Sequence, residues 1–507
     1  MACAVMKSEI DFGDVQGLVR FGYGRLKAAS YALARIKNLE AARSWLLSAP
    51  VTTALERKPP PATALHVAFT AEGLRELHVP DAIIETFSHE FVSGMTQESR
   101  SRRLGDVEAN SPSKWAWGNA DNIPHLLVMF FAESGRLDSF KESAMGTSWS
   151  EAFKVNWLYS ADLDGIEPFG FADGISQPEI DWSQQRDMLP GQVDYGNVVA
   201  LGEFLLGYRN EYGKYTDRPL VDPAAATQEL LAAEDAPDKR DVGRNGTYLV
   251  MRDLQQDVRR FWQFISRHAG SDHAAMEKIA SAMVGRTRSG DPLVPIRHDP
   301  IPGIGPDPDE VRQNQFTFDE DPSGTRCPFG AHVRRANPRS TDYPGRPTNL
   351  LSKIITMLGL VPKGFRDDLI SSVRYHRILR RGREYGPALS PLDALAPAPP
   401  DDPIRGLHFV CLNANILRQF EFLQNAWMAN TKFSAMTGES DPLLGNREPI
   451  WGCPVTSDFN IPKEHGPRHR VTGLEQFVTV RGGAYFFLPS LRVLRFFANP
   501  TGLGMKR

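Results

Sequence analysis

One short loop combines glycines with a single carboxylate, a pattern that could serve catalysis. The segment 170–178 reads GFADGISQP and holds Asp173 between glycines. Small residues let a backbone approach a flat ligand closely, so the carboxylate could face a bound group. An aspartate in such a loop can equally satisfy the amides of an ordinary turn. Both interpretations stay open on the residue types alone.

A second segment offers a possible metal ligand beside positive charges. The segment 327–339 reads CPFGAHVRRANPR and places His332 before three arginines, Arg334, Arg335 and Arg339. A haem iron takes one neutral imidazole, and its propionates take nearby cations. A structural histidine is the alternative. A thiolate ligand at Cys327 is disfavoured, because proline follows the cysteine directly where a glycine-bounded loop is expected.

A third segment could supply an anion-stabilising arginine. The stretch 376–386 reads HRILRRGREYG, with two arginines between an apolar pair and a glycine. It could be a basic surface strand. It could also aim a buried arginine at a negative charge that develops during a reaction.

Strands followed directly by helices are expected to position these segments. Alternating apolar residues and helical spacing predict such units in both halves of the chain, with Thr70 as a helix N-cap. Strand–helix units are predicted at 63–79, 246–268 and 406–428, and further strands at 125–131 and 476–488. Loops are predicted at 298–324 and 391–403, and the domain junction at 222–244. A turn or bulge is expected at Gly482 and Gly483. The pattern predicts an α+β protein, possibly with two related sheet-and-helix domains.

Composition narrows the class of protein. With 507 residues, 41% of them hydrophobic, and a net charge of −3, the chain predicts a globular protein of two domains or one double-sized unit. It has no one-sided basic stretch for nucleic acid and no apolar run near the roughly 20 residues of a membrane span. The first residues show no secretory signal, so a cytoplasmic location is expected. The four cysteines form no CxxC or CxxCH motif, so any haem is expected to be non-covalent.

Together the three segments resemble the dye-decolorising peroxidase family. GFADGISQP matches its GxxDG signature, CPFGAHVRRANPR its proximal segment and ILRRG its distal arginine segment. The resemblance runs from about residue 12 to residue 490 and includes RGLHFVCLNANILRQFEFLQNAWMAN, FVTVRGGAYFFLPS and DVQGLVRFGYG. It implies two ferredoxin-like domains with antiparallel sheets, 1–235 carrying the GxxDG loop and 236–507 holding most of the haem. The long spacing between His332 and Arg380 predicts an insertion within 340–375.

The resemblance also implies roles for individual residues. His332 is expected as the axial ligand of one haem b per chain, with Asp173 and Arg380, rather than Arg381, acting on peroxide. Asp441 is expected to accept a hydrogen bond from His332, although a plain turn aspartate is the alternative. Further haem contacts are expected at Gly174, Ile175, Arg339, Leu407 and Phe409. Tyr385 and Trp427 are possible electron relays, with ordinary packing as the alternative.

The expected activity is reduction of hydrogen peroxide with oxidation of dyes, phenols or similar aromatic reductants. A carboxylate with an ordinary pKa near ~3.9 is a useful base only in acid, so an acidic optimum is expected. The main alternative is a haem-binding or iron-releasing protein of the same fold without peroxidase turnover. A chlorite-dismutase-like enzyme and a haem-free scaffold are further alternatives. No nucleic-acid or membrane partner is expected, and the oligomeric state is left open.

Overall fold

The computed structural model describes residues 9–185, 196–225, 229–296, 312–339, 372–436, 438–447 and 455–499. The predicted insertion at 340–375 lies outside the described residues as far as position 371. The start of the predicted loop at 298–324 lies outside them as well.

Strands and helices alternate through both halves of these ranges. The strands are β1 (Ala28–Ile36), β2 (Thr63–Phe69), β3 (Leu126–Ala132), β4 (Phe153–Tyr159), β5 (Glu179–Asp181), β6 (Val198–Ala200), β7 (Leu220–Val221), β8 (Arg240–Asp241), β9 (Thr247–Gln256), β10 (Leu379–Arg380), β11 (Arg383–Tyr385), β12 (Gly406–Asn413), β13 (Asp458–Ile461), β14 (His469–Thr472) and β15 (Val478–Leu488). The α-helices are α1 (Leu39–Ser48), α2 (Ala71–Glu76), α3 (Asp81–Ile84), α4 (His89–Ser93), α5 (Glu98–Leu104), α6 (Leu137–Met145), α7 (Trp149–Ala152), α8 (Val258–Ala269), α9 (His273–Val284), α10 (His332–Ala336) and α11 (Leu491–Ala498).

Nine of these strands form one antiparallel sheet. The order along it is β10, β12, β9, β15, β2, β3, β1, β4, and β11 pairs with β12 beside β10. The first half of the chain contributes β2-β3-β1-β4, and the second half contributes β10-β12-β9-β15. When the strands are numbered within each half, both halves have the order second, third, first, fourth. The halves meet where Phe487 of β15 pairs with Phe69 of β2. The predicted α+β class is confirmed by this mixture of helices and antiparallel strands.

Both faces of the sheet are buried, because successive side chains of a strand point to opposite faces. On β2, Leu65, Val67 and Phe69 belong to the larger core, while Ala64 and Ala68 belong to a second core on the other face. The larger core includes residues of α1, α8, α9 and α11. Helices therefore cover the face that the alternating pattern of 63–69 predicted.

The predicted helix signals are found where expected. The Thr70 side chain accepts a hydrogen bond from Gly73 N at the start of α2, which confirms the predicted N-cap. In α8, the side chains predicted to share one face, Val258, Phe261, Trp262 and Ile265, are all buried.

Two details differ from the pattern that the sequence predicts. The helix after β12 is wound as two π-helical segments, Leu417–Glu421 and Leu423–Ala429, rather than as an α-helix. Hydrophobic spacing over so few turns cannot separate the two forms, and π-turns often lie at functional sites. Gly482 and Gly483 lie within β15, at a register shift against β9, so the bulge is correct and the turn is not.

Candidate functional site

A large cavity lies between the predicted site segments. Its volume is about 720 Å³, which is within the range of ligand pockets in enzymes. The loop 170–178, the start of α10, β10 and β12 all contribute to its wall. The wall includes seven of the predicted site residues, Asp173, Gly174, Ile175, His332, Arg380, Leu407 and Phe409.

His332 faces this cavity from the first turn of α10. Its Nδ1 donates to Asp441 Oδ2 at 3.0 Å, so the Nε2 lone pair is left for a ligand on the cavity side. The side chain is 26% exposed, whereas that of Asp441 is fully buried. A histidine that donates its second nitrogen to a carboxylate is the usual arrangement of a metal-ligating imidazole.

The turn that carries Asp441 is held rigidly. Asp441 Oδ1 accepts from Leu443 N at 2.9 Å and from Leu444 N at 2.8 Å. Arg447 donates to Asp441 O at 2.9 Å and closes the turn. Asp441 is therefore both a turn aspartate and the partner of His332, so the two interpretations of its sequence context hold together.

The pair is electrostatically coupled. Burial alone would lower the pKa of His332, but the adjacent Asp441 carboxylate more than offsets burial and raises it. Burial alone would raise the pKa of Asp441. The adjacent His332 ring more than offsets burial, so the pKa of Asp441 is lowered. The carboxylate therefore stays ionised and favours electron density on the imidazole.

Glycines shape the loop that presents Asp173. Gly170 has φ +97° and Gly174 has φ +80°, both in the left-handed region that side chains disfavour. Gly174 N donates to Asp173 Oδ1 at 2.6 Å, and Asp173 N donates to Gly165 O at 2.8 Å. The GxxDG pattern is thus a backbone requirement that fixes one carboxylate at the cavity.

Asp173 is paired with Arg380. Arg380 Nη1 donates to Asp173 Oδ1 at 2.7 Å, and about a third of each side chain is exposed to the cavity. Burial alone would raise the pKa of Asp173, but the Arg380 guanidinium and the Gly174 amide more than offset it, so the pKa is lowered. Arg381 donates instead to Leu18 O and Val19 O. Both arginines line the cavity, and Arg380 is the one that pairs with Asp173.

The described contacts of the arginines that follow His332 are with the protein itself, and the haem contact expected of Arg339 stays a prediction. Arg334 donates to Asp321 Oδ2 at 2.9 Å, and Arg335 donates to Asn430 O and other backbone carbonyls at the end of the second π-helical segment. Arg339 is fully buried and donates to Asn314 O and Phe316 O, away from the described cavity wall. The described hydrogen bonds of these three arginines stabilise the backbone and the Asp321 side chain.

The two predicted relay residues lie close to the cavity. The Tyr385 ring stacks on His408, with centroids 4.4 Å apart, and His408 lines the cavity. Trp427 is buried and packs edge-on to His376, another cavity residue, at 5.3 Å. These contacts are compatible with packing and with a relay.

Cys327 is remote from a ligand role. It is buried against Gly285 and Ala331, outside the described cavity wall. Burial raises the pKa of its thiol to about 12, so it stays protonated. This geometry agrees with the sequence analysis, which disfavoured a thiolate ligand.

Several cavity residues were not singled out from the sequence. Glu167 and Gln256 line the cavity behind Asp173, and His376 and Arg377 line it beside Arg380. Glu167 lies three residues before the GFADG motif and His376 opens the segment HRILRRG, so neighbouring motifs were the only available signal.

Comparisons with known proteins agree with this geometry. No protein-family model matches the chain. A dye-decolorising peroxidase of Mycena epipterygia is 29% identical over 95% of this chain and 86% of its own length. The multifunctional dye peroxidase of an Amycolatopsis strain is 30% identical over 67% of this chain and 62% of its own. A crystal structure of a decolorising peroxidase from Auricularia auricula-judae superposes with a TM-score of 0.69 at 24% identity, over 96% of this chain and all of that one.

The named relatives support an oxidoreductase of the kind that acts on peroxide, and the α+β fold is the one that the solved structures share. The chain is a homologue of curated dye-decolorising peroxidases over most of its length. These relatives imply a haem cofactor, and the described residues fit one. An imidazole whose Nδ1 is bonded to a buried carboxylate lines a cavity with largely apolar walls, which is the arrangement that a haem-ligating histidine takes.

Proposed function

We propose that the chain is a haem-dependent peroxidase that reduces hydrogen peroxide and oxidises dyes, phenols or similar aromatic reductants. The observation that carries this proposal is the presence of two pairs, His332–Asp441 and Asp173–Arg380, on one cavity. The first pair offers a metal-ligating imidazole, and the second offers a carboxylate and a cation for acid–base chemistry on peroxide. A solved relative is described in complex with 2,6-dimethoxyphenol, which supports phenols as a reductant class.

His332 is proposed to hold one non-covalent haem b per chain through Nε2. Gly174, Ile175, Leu407 and Phe409 are proposed to contact its faces, since all four line the cavity. When bound, the haem supplies the iron at which peroxide is reduced and the electron hole that the aromatic reductant fills.

Asp173 is proposed as the acid–base group of the cavity that His332 also lines. Its carboxylate takes the proton from one peroxide oxygen and returns it to the other as that oxygen leaves. Arg380 stabilises the negative charge on the departing oxygen. Because the pKa of Asp173 is lowered, the carboxylate remains a base in acid, which supports an acidic optimum.

The two sheet halves support an assignment to two ferredoxin-like domains, 1–235 and 236–507. Both halves repeat one antiparallel strand order around the shared sheet. The second domain is proposed to hold most of the haem, and the Asp173 loop to reach the cavity from the first.

Bulky reductants are proposed to be oxidised through Tyr385 or Trp427, whose rings contact cavity-lining histidines. A cytoplasmic location remains a prediction from the sequence. No helix among the described residues is long and apolar enough to cross a membrane.

The test is reconstitution with haem, followed by peroxide and an anthraquinone dye. The proposal predicts a Soret band that changes on addition of peroxide and a dye that loses its colour. His332→Ala is expected to lose or loosen the haem. A protein that binds haem through His332 but leaves the dye untouched would favour the alternative, a haem-binding or iron-releasing protein.

A further inference from the structure

A second carboxyl group, Glu167, organises the loop that carries Asp173. Its Oε1 accepts from Phe171 N at 3.0 Å, and its Oε2 accepts from Phe169 N at 3.0 Å. Its backbone closes the same loop, because Glu167 N donates to Phe171 O at 2.9 Å and Gly170 N donates to Glu167 O at 2.7 Å. The residues between Glu167 and Asp173 therefore fold around one side chain.

Glu167 also fastens this loop to the central sheet. Gln256, the last residue of β9, donates Nε2 to Glu167 Oε2 at 2.7 Å. Gln256 is itself held, since its backbone N donates to Arg405 O at 2.8 Å. The Glu167 carboxyl therefore links β9 to the loop that leads to the Asp173–Arg380 pair. Trp262 and Arg288 contact the same loop through the backbone oxygens of Phe169 and Gly170.

We propose that Glu167 is a positioning residue for Asp173, which fixes the Asp173 carboxylate against Arg380 by gathering the loop amides and tying them to β9. This inference rests on the proposed role of Asp173 in the peroxide reaction. The contact that it protects is the 2.7 Å hydrogen bond from Arg380 Nη1. A loop displaced by about 1 Å is enough to cost on the order of 100-fold in rate.

The protonation state of Glu167 sharpens the test. Burial, the largest influence, raises the pKa of Glu167 to about 7, although three hydrogen bonds oppose it. In acid the native side chain is therefore neutral, and Glu167→Gln imitates its charge. The glutamine keeps one carbonyl acceptor and replaces the other oxygen, which accepts from a loop amide, by an NH2 group. Glu167→Ala removes every acceptor and leaves the Phe169 and Phe171 amides without their partner.

The charges that act on Asp173 come from three other elements. They are Arg380 on β10, His332 on α10 and, more weakly, Glu384 on β11, besides Glu167 in its own loop. Glu384 lines the same cavity, but its backbone O accepts from Ala161 N, outside the Glu167–Asp173 loop. Glu384→Gln is therefore the matched control, a neutralised cavity carboxyl that leaves the loop intact.

The experiment measures the rate constant of the peroxide-induced Soret change against pH in the haem-loaded protein. It also measures amide hydrogen exchange at Phe169 and Phe171 in the haem-free protein. Glu167→Ala is expected to slow the reaction by about 10- to 100-fold, to move its acid limb to higher pH as Asp173 loses Arg380, and to speed both exchange rates. Glu167→Gln is expected to restore part of the acid-side rate. Glu384→Gln is expected to leave both exchange rates unchanged and to move the acid limb slightly to lower pH, because it removes a negative charge that acts on Asp173.

A second variant keeps the test informative if Glu167→Ala fails to fold. Gln256→Met removes only the strand contact and is expected to shift the acid limb in the same direction by a smaller amount. An unchanged acid limb in Glu167→Ala or Gln256→Met would overturn the positioning role, as would an equal shift in Glu384→Gln. If Asp173→Asn also reacts at the native rate, the proposed function of Asp173 is what has failed.

Discussion

Arg380 and Asp173 lie 207 positions apart in the chain, yet the Arg380 guanidinium donates to the Asp173 carboxylate at 2.7 Å. The contact joins the loop that follows β4 to the strand β10 at the far edge of the sheet. A second contact fixes its register, since Arg380 N donates to Gln177 Oε1 at 3.0 Å. Two side chains of the GFADGISQP segment, Asp173 and Gln177, therefore accept hydrogen bonds from one arginine.

The charge of Arg380 is expected to set the acid limb of the peroxide reaction. Because Arg380 opposes burial and lowers the pKa of Asp173, Arg380→Ala is expected to raise that pKa. The carboxylate is then protonated at a higher pH, and the acid limb of the rate constant moves upward. Arg380→Lys keeps the charge and is expected to move it less. Stopped-flow rates across the acidic range measure the shift.

Arg381→Ala is the control for this assignment. Its guanidinium holds Leu18 O and Val19 O, so its loss is expected to cost about 1–3 kcal/mol of stability without moving the acid limb. A shift of the acid limb in Arg381→Ala but not in Arg380→Ala would show that the wrong arginine was chosen.

Asp441 is expected to determine how firmly the imidazole holds haem. Asp441→Asn keeps an oxygen for His332 Nδ1 but removes the charge that favours electron density on the ring. Haem affinity is expected to fall by about 10- to 100-fold, measured by transfer of haem to a competing apoprotein. Asp458→Asn, which breaks a pair with the mostly exposed Arg470, is the control and is expected to retain native affinity. Equal affinities in all three proteins would contradict the role of Asp441.

Cys327→Ser is expected to leave the spectrum of the haem-loaded protein unchanged. The thiol is buried outside the described cavity wall, and burial raises its pKa to about 12. Loss of the Soret band in Cys327→Ser, with the band retained in His332→Ala, would reverse the assignment of the axial ligand.

His66 is expected to weaken the fold in acid. It is fully buried on β2, and burial lowers its pKa to about 3, whereas an unfolded histidine has a pKa near ~6.5. The folded state resists protonation, so stability is retained above about pH 6.5 and declines by up to about 1.4 kcal/mol per pH unit as pH falls towards about 3. Urea unfolding at several pH values is expected to show a smaller acid loss in His66→Phe than in the native chain.

The exposed His465 provides the comparison for this effect. His465→Asn, at an exposed position, is the matched control and is expected to retain the native loss of stability in acid. Identical acid loss in His66→Phe and the native chain would contradict the assigned role of His66.

The sequence predicted local elements better than their environment. The alternation of Leu65, Val67 and Phe69 and the capping side chain of Thr70 are local signals, and both were correct. The resemblance of the motifs predicted that Asp173, His332 and Arg380 share one site, and all three line one cavity. Hydrophobic periodicity alone could not have predicted this. The joining of both halves into one sheet depends on a single pairing, Phe487 with Phe69, which leaves no trace in sequence spacing.

The charged residues near the site were the least predictable. Arg334, Arg335 and Arg339 follow His332 closely in the chain. Their guanidinium groups donate hydrogen bonds to Asp321 and to backbone carbonyls. Whether an arginine faces a cavity or its own chain depends on long-range packing, which spacing does not encode. Glu167 was missed for the same reason, because its hydrogen bonds are visible only once the loop is folded.

The most direct test of the central claim is the second-order rate constant for the peroxide-induced Soret change in native protein and Asp173→Asn. Asp138→Asn, at a 94% exposed side chain, is the control. We expect Asp173→Asn to keep its haem and to react about 10²- to 10⁴-fold more slowly, because an amide cannot carry the proton between peroxide oxygens. A native rate constant in Asp173→Asn, with haem bound, would contradict the account.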